Sequence, residues 1–181
     1  MTKLLLHSCC APCTSGVLPQ LSGYDITLLF YNPNIDTMEE YNKRLNALYD
    51  FVEKFSLDTN TTYNIIAIPY NHEEFTSKIM GLENEPEGGN RCTKCIDLRI
   101  GFTAKYAKEH GYDLYASTLS VSPHKNHELI NQIGDKYSKA LNVEYMPSNF
   151  KINNGFLMSV QNSKKYGIYR QRYCGCTKNI D

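Results

Sequence analysis

The sequence has no excess of charge of one sign, no long apolar run and no leader-like start. Its 181 residues include 19 basic and 19 acidic residues, so the formal net charge is zero. The net charge of the whole protein therefore cannot attract a polyanion, and any polyanion must bind to a local basic patch. The longest apolar runs, such as 4–6 and 65–68, fall far short of the roughly 18 residues that span a bilayer.

The first residues carry one positive charge and three leucines, which is less than the apolar stretch of about 7 to 15 residues in a secretory signal. We therefore expect a cytoplasmic protein that makes no membrane contact. In a reducing cytosol, cysteines more often bind metals or act as catalytic thiols than form disulfides.

Apolar segments of two kinds alternate along the chain. Short runs without a helical period predict strands at 3–8, 24–31, 63–68, 112–118 and about 143–146. Periodic or capped segments predict helices at 14–21, 37–55, 72–80, 93–110, 129–141 and 155–166. Thr14 or Ser15 is the expected cap of the first helix, and Thr37 with Glu40 forms a capping box at the start of the second. This alternation indicates one α/β domain over 1–181, with a doubly wound, mostly parallel five-stranded sheet covered by helices on both faces.

Ligands of such sheets bind beyond the carboxyl ends of the strands, where the strand order reverses. If the first and fourth strands are neighbours, the loops 9–13 and 120–126 face one another across the site.

The seven cysteines lie in three short clusters and are not spread evenly along the chain. Two of the clusters contain a C-x-x-C pair, Cys10 with Cys13 and Cys92 with Cys95, and the third is Cys174-Gly-Cys176. This spacing lets two thiolates converge on one ion or on one edge of a cluster. Soft thiolates select zinc, cuprous copper or iron–sulfur clusters over hard cations.

Seven thiolates exceed the four that one tetrahedral zinc ion or one cubane cluster needs. A division into four and three would complete one cluster and leave three thiolates for a second metal with an open coordination position, as catalytic metals have. Other interpretations stay open: inert buried cysteines, a structural zinc site with spare thiols, and a thioredoxin-type dithiol enzyme.

Four ordered motifs resemble the QueH family of epoxyqueuosine reductases from one end of the chain to the other. They are L-L-H-S-C-C-A-P-C at 5–13, R-C-T-K-C-I-D-L-R at 91–99, S-P-H-K-N at 122–126 and Y-R-Q-R-Y-C-G-C at 169–176. The resemblance implies an oxidoreductase of tRNA processing, which completes queuosine biosynthesis by reducing the epoxide of epoxyqueuosine at the wobble position. It also implies a fold of the nucleotide alpha-hydrolase-like, or HUP-like, class.

The resemblance further implies a [4Fe-4S] cluster and an adjacent metal ion, iron, with no cobalamin. We assign the cluster to Cys10, Cys92, Cys95 and Cys174, and the second metal to Cys9, Cys13 and Cys176. Reduction of an epoxide to an alkene consumes two electrons and two protons and releases water, so an external electron donor is needed. Cys9 and Cys13 are the expected catalytic thiolates, and candidate proton donors adjoin the motifs at His7, Tyr173 and His124.

A tRNA anticodon stem-loop needs a basic surface, which a neutral protein can supply only locally. We expect His124, Lys125 and Asn126 to contact the modified base or a phosphate. Basic residues that flank the cysteines would complete the rim, although each could equally be ordinary surface charge; they are Arg91, Lys94, Arg99, Arg170 and Arg172.

Two rival functions remain to be weighed. An ATP-using tRNA-modifying enzyme of similar fold is disfavoured, because the loop at 9–13 lacks the glycines that let backbone amides approach phosphates. A non-redox, zinc-dependent nucleic-acid-binding module would use the same thiolates and would be a colourless protein.

Overall fold

A five-stranded parallel sheet organises the protein, whose computed structural model describes residues 1–176. Its strands are β1 (Thr2–His7), β2 (Tyr24–Phe30), β3 (Asn64–Ala67), β4 (Leu114–Ser117) and β5 (Glu144–Tyr145). The order is β3-β2-β1-β4-β5, and every neighbouring pair is parallel. The predicted α/β class and its five strands are confirmed. Residues 177–181 of the predicted domain lie outside the described residues.

The helices between the strands are α1 (Ala11–Val17), α2 (Met38–Thr59), α3 (Glu73–Lys78), α4 (Asn90–Glu109) and α5 (His127–Leu141), and α6 (Gly155–Tyr166) follows the last strand. Short 3₁₀ turns lie at Leu18–Gln20, Thr118–Val121 and Ile152–Asn154. Within residues 1–176, no helix has both the length and the apolar character needed to cross a membrane.

Helix α1 begins earlier than the sequence predicts, so the expected cap at Thr14 or Ser15 is wrong. Cys10 is the cap, and its Sγ accepts a hydrogen bond from the backbone N–H of Cys13 at 3.4 Å. Pro12 permits this start because proline lacks an N–H that the first helical turn would leave unpaired.

Helix α2 begins after Thr37, as predicted, and the Thr37 hydroxyl accepts from the Glu40 N–H at 3.1 Å. The Glu40 carboxylate, however, accepts from the Arg44 guanidinium instead of completing a capping box. The helix ends at Asn60, whose φ of 50° stops the α-helical path.

Strand β1 is central and is covered on both faces. Leu4 and Leu6 pack against a core that includes α1, α2 and α6, whereas Leu5 packs on the other face against α4 and α5. Burial of both faces explains why β1 is a continuous apolar run rather than an alternating one.

The strand order reverses between β1 and β4, which are direct neighbours. The loop after β1 and the loop after β4 therefore meet at the carboxyl edge of the sheet, as predicted. The Cys9 N–H donates to Thr118 Oγ1 at 3.1 Å across this boundary.

Candidate metal and substrate site

The loop after β1 brings three thiols together, and we call Cys9, Cys10 and Cys13 the three-cysteine group. The Sγ atoms of Cys9 and Cys10 are 3.9 Å apart, and all three Sγ atoms lie within 4.8 Å of one another. Two sulfur ligands at 2.3 Å on a tetrahedral ion lie about 3.8 Å apart. The three sulfurs therefore have the spacing of ligands to one soft metal ion, with a fourth coordination position left for another ligand.

The pKa values of Cys9 and Cys13 are shifted in opposite directions. Hydrogen bonds from Cys10 and Cys13, and a further one from Thr118 Oγ1 at 3.2 Å, hold the pKa of Cys9 well below its usual range. The pKa of Cys13 is raised, because its thiol is hydrogen-bonded to its two neighbours and is buried. A second thiolate at this spacing is costly without a cation, so full deprotonation of the group calls for a metal.

The other four cysteines line a second, narrower cavity, and we call Cys92, Cys95, Cys174 and Cys176 the four-cysteine group. The first two lie in the first two turns of α4, and the last two lie in the segment that follows α6. Phe75 and Ile79 pack in one apolar cluster with Cys95 and Cys176, and Phe75 also lines the cavity. Lys125 and two buried arginines, Arg91 and Arg99, complete the wall.

Arg44 of α2 fixes the segment that carries the last two cysteines. Its guanidinium donates to the backbone carbonyl oxygens of Cys174 at 3.0 Å and Tyr173 at 3.1 Å, and its Nε donates to Glu40 at 2.7 Å. Sequence reasoning missed Arg44. The available signal was a charged residue one turn before Leu48, on the apolar face of a well-defined amphipathic helix.

The same segment is also held by the loop after β2. Asn34 Nδ2 donates to the Cys174 carbonyl at 3.3 Å, and the Asp36 N–H donates to the Gly175 carbonyl at 2.8 Å. Gly175 has a φ of 121°, and a Cβ there would lie 3.0 Å from the Ile35 side chain. Only glycine combines this backbone conformation with so close an approach.

A larger cavity of about 340 Å³ opens beside both thiol groups. Its wall includes Cys10 and Cys13 of the first group and Cys174 of the second, and it shares Cys174 and Lys125 with the narrow cavity. The volume lies at the lower end of the range for small-molecule sites. A ligand of nucleoside size could therefore reach the three-cysteine group from solvent.

The structure divides the predicted tRNA-binding residues between three places. His124, Lys125, Arg170 and Arg172 line the large cavity. Arg91 is instead buried against the four-cysteine group. Asn126 caps α5, where its Oδ1 accepts from the N–H groups of Glu128 and Leu129.

The predicted proton donor His7 is fully buried and has both ring nitrogens in use. Its Nε2 donates to the Tyr31 carbonyl at 3.0 Å, so its Nδ1 accepts from the Ser117 hydroxyl at 2.9 Å. Burial, and then the positive charge of Arg99, lower the pKa of His7 to about 4. The neutral ring joins β1 to the neighbouring strands and holds the loop that follows.

The second predicted proton donor, Tyr173, borders the large cavity, but its hydroxyl donates to Asp36 Oδ1 at 2.9 Å. Burial, and then that carboxylate, raise the pKa of Tyr173 to about 12. Phe156 lies at the same cavity and is 44% exposed. Sequence reasoning missed it, because an aromatic residue near a helix start resembles a core residue until the packing is known.

These features define a class: a doubly wound α/β protein with a cysteine-rich, basic site at its topological switch point. The family model described as "Epoxyqueuosine reductase QueH" matches residues 4–179. An epoxyqueuosine reductase QueH from Streptococcus pyogenes is 44% identical over 175 residues, which are 96% of this chain and 69% of the relative. Another from Thermotoga maritima is 34% identical over 180 residues, which are 99% of this chain and 91% of the relative.

The chain therefore belongs to the QueH family of epoxyqueuosine reductases. It is an oxidoreductase, and the role of its family in tRNA modification makes a tRNA its substrate. The family and the activity expected from the four motifs are confirmed, and the zinc-dependent binding module is not favoured.

A solved structure supports the fold assignment independently. The U34-tRNA thiolase NcsA from Methanococcus maripaludis, solved with its [4Fe-4S] cluster, superposes with a TM-score of 0.50 at 12% sequence identity. The match covers 99% of this chain, which spans 62% of the length of the thiolase. This likeness confirms the predicted nucleotide alpha-hydrolase-like, HUP-like fold.

Proposed function

We propose that this chain is a single catalytic domain that reduces the epoxide of epoxyqueuosine at the wobble position of tRNA. In this proposal a [4Fe-4S] cluster is held by the four-cysteine group, and one metal ion, iron, is held by the three-cysteine group. The observation that carries the proposal is the presence of two separate thiol groups that both border one basic cavity of nucleoside size.

The donor sets support this division. Among residues 1–176, Cys9, Cys10 and Cys13 are the one set of three whose ligand atoms lie within 4.8 Å, as a single ion requires. The other four thiols surround a cavity instead of converging on a point, as ligands to a four-iron cluster do. The proposal therefore moves Cys10 to the ion and Cys176 to the cluster, relative to the assignment made from the sequence.

The reaction removes the epoxide oxygen and leaves an alkene. Two carbon–oxygen bonds break, one carbon–carbon π bond forms, and two electrons and two protons convert the oxygen to water. When bound, the metal groups supply one-electron transfer and Lewis-acid polarisation of the epoxide oxygen. An external one-electron donor supplies both electrons, and no cobalamin is required.

The side chains of the large cavity bind and orient the substrate. Lys125, Arg170 and Arg172 provide the local positive charge that a protein of zero net charge needs to hold an anticodon stem-loop. Phe156 offers a flat apolar surface for an unstacked loop base. Arg170 is held in place by hydrogen bonds to the Ser159 carbonyl and the Ser163 hydroxyl, both at 3.1 Å.

We assign proton donation to His124. Its side chain borders the large cavity, whereas His7 and Tyr173 each donate to a fixed acceptor. A donor at the cavity wall can recover its proton from solvent between turnovers. The reducing cytoplasm, in which the thiols stay available for metals, is the compartment that suits this chemistry.

Anaerobic purification tests the proposal. We expect a brown protein with about five iron atoms and four inorganic sulfides per chain, the sum of one cubane cluster and one ion. With a chemical reductant and no cobalamin, it should convert epoxyqueuosine in tRNA to queuosine, as measured by mass spectrometry of the digested nucleosides. A colourless protein that contains only zinc would favour the binding-module function instead.

A further inference from the structure

Arg99 is a buried cation beside the four-cysteine group. It lies on α4, one turn after Cys95, is 3% exposed and lines the narrow cavity. Its guanidinium makes two long hydrogen bonds of 3.5 Å, to the Cys95 carbonyl and to Asn32 Oδ1. Both partners are neutral. Among residues 1–176, no carboxylate forms an ion pair with it.

Arg99 is also linked by hydrogen bonds to the loop that carries the three-cysteine group. Asn32, which accepts from Arg99, donates through Nδ2 to the carbonyl of Ser8 at 3.0 Å, next to Cys9 in the chain. One fixed positive charge therefore lies in the wall of the four-cysteine cavity and is linked through Asn32 to the loop that carries the three-cysteine group.

A buried cation is costly unless negative charge surrounds it. The side chains that supply this negative charge here are thiolates that we propose as metal ligands, not carboxylates. A fixed charge inside the protein is screened much less than one in water, so it changes the free energy of any nearby electron transfer. The reduced state of a cluster carries one more negative charge than the oxidised state, and a neighbouring cation favours it.

We infer that Arg99 raises the reduction potential of the cluster in the four-cysteine group. The inference rests on the proposed function, because it needs the cluster at that place. In the step concerned, the cluster takes one electron from an external one-electron donor. No bond forms or breaks, no proton moves and Arg99 stays cationic.

A redox titration of the anaerobically reconstituted protein tests the inference. The probe is sodium dithionite with redox mediators, and the signal is the electron paramagnetic resonance of the reduced cluster. Arg99→Met and Arg99→Gln remove the charge, Arg99→Lys keeps it, and Lys105→Met removes an exposed charge from the same helix. Iron and sulfide are measured for every variant.

For both neutral variants we expect the equilibrium constant for one-electron reduction to fall at least tenfold, which is about 59 mV toward more negative potential. Arg99→Lys and Lys105→Met should stay close to the unchanged protein. If the neutral variants fold but retain no cluster while Arg99→Lys retains it, the cluster needs the positive charge at position 99 in order to be held. That result supports the electrostatic role of Arg99. Failure of all three Arg99 variants to hold the cluster would overturn the inference in favour of a packing role.

Two outcomes separate this inference from the proposed function. A cluster with unchanged potential in the neutral variants overturns the role of Arg99 and leaves the proposed cluster in place. An unchanged protein without iron and sulfide after reconstitution overturns the proposed function itself.

Discussion

The two thiol groups are built in opposite ways. The three-cysteine group comes from five consecutive positions in the turn between β1 and α1, and its geometry follows from the cap that Cys10 provides. The four-cysteine group combines the start of α4 with a segment about 80 residues further along the chain. One group is therefore set by local backbone geometry, and the other depends on tertiary contacts.

The groups also differ in access. The three-cysteine group borders the large cavity through Cys10 and Cys13, so a substrate can approach it. The four-cysteine group is covered by Phe75 and Ile79 and borders that cavity only through Cys174. This difference in access agrees with the proposed roles, in which the ion of the three-cysteine group contacts the substrate and the cluster of the four-cysteine group transfers electrons. The predictions below test how separate the two groups are.

The largest expected effect is on inorganic sulfide. Cys95→Ala should remove the cluster, with loss of all inorganic sulfide and of activity, because a cubane needs its four thiolates. Cys10→Ala should also lose activity but keep the sulfide, because Cys10 belongs to the other group. Sulfide analysis after anaerobic reconstitution separates the two results. Loss of sulfide in Cys10→Ala would return that residue to the cluster and contradict the division proposed here.

The next effect is on stability. Arg44→Met removes three hydrogen bonds and leaves the largely buried Glu40 carboxylate without its cation, so we expect a loss of about 3 kcal/mol in the free energy of unfolding. Urea unfolding of the metal-free protein measures it.

In Arg44→Met the two groups should also respond differently. Sulfide should be lost faster on dilution, while the three-cysteine group still binds Co²⁺ with its thiolate charge-transfer band. Lys105→Met, which removes an exposed cation, serves as the control and should change stability by less than about 0.5 kcal/mol. Equal damage to both groups would show that Arg44 supports the whole fold rather than one segment.

A smaller effect concerns substrate binding at the large cavity. Phe156→Ala should weaken tRNA binding by roughly 1–3 kcal/mol, the usual contribution of base stacking on an aromatic ring, with iron and sulfide unchanged. Leu157→Ala is the matched control, because Leu157 is 51% exposed and is not part of the cavity wall. Equilibrium binding of an anticodon stem-loop gives the measurement, and equal losses in the two variants would argue against stacking.

The smallest effect is electrostatic. Arg172→Gln should lower the slope of log affinity for tRNA against log salt concentration by about one, the change expected for one lost phosphate contact. Lys94→Gln is the control, since Lys94 is exposed on α4 and does not line either cavity. A slope that changes in Lys94→Gln but not in Arg172→Gln would place the tRNA on another face.

Sequence reasoning was strongest where the information is local. The period of α2, its Thr37 cap and the bounds of α6 follow from residues close together in the chain, and all three are confirmed. The meeting of the loops after β1 and β4 was also foreseeable, because parallel sheets of this class place sites where the strand order reverses.

Sequence reasoning failed where the partner of a residue is distant. Nothing near Arg44 indicates that its guanidinium holds the carbonyls of Tyr173 and Cys174. The sequence predicted seven metal-binding cysteines but left their division to an assignment, because spacing alone treats Cys10 and Cys13 as equivalent to Cys92 and Cys95.

The sequence by itself determined the family, the chemistry of soft thiolate ligands and the alternation of strands and helices, because each depends on residue type and short-range order. The tertiary structure alone decided which cysteines lie together, which arginines are buried beside them and which side chains border the open cavity. Those facts depend on contacts between segments that are far apart in the chain, and only the packing of the helices on the sheet fixes such contacts.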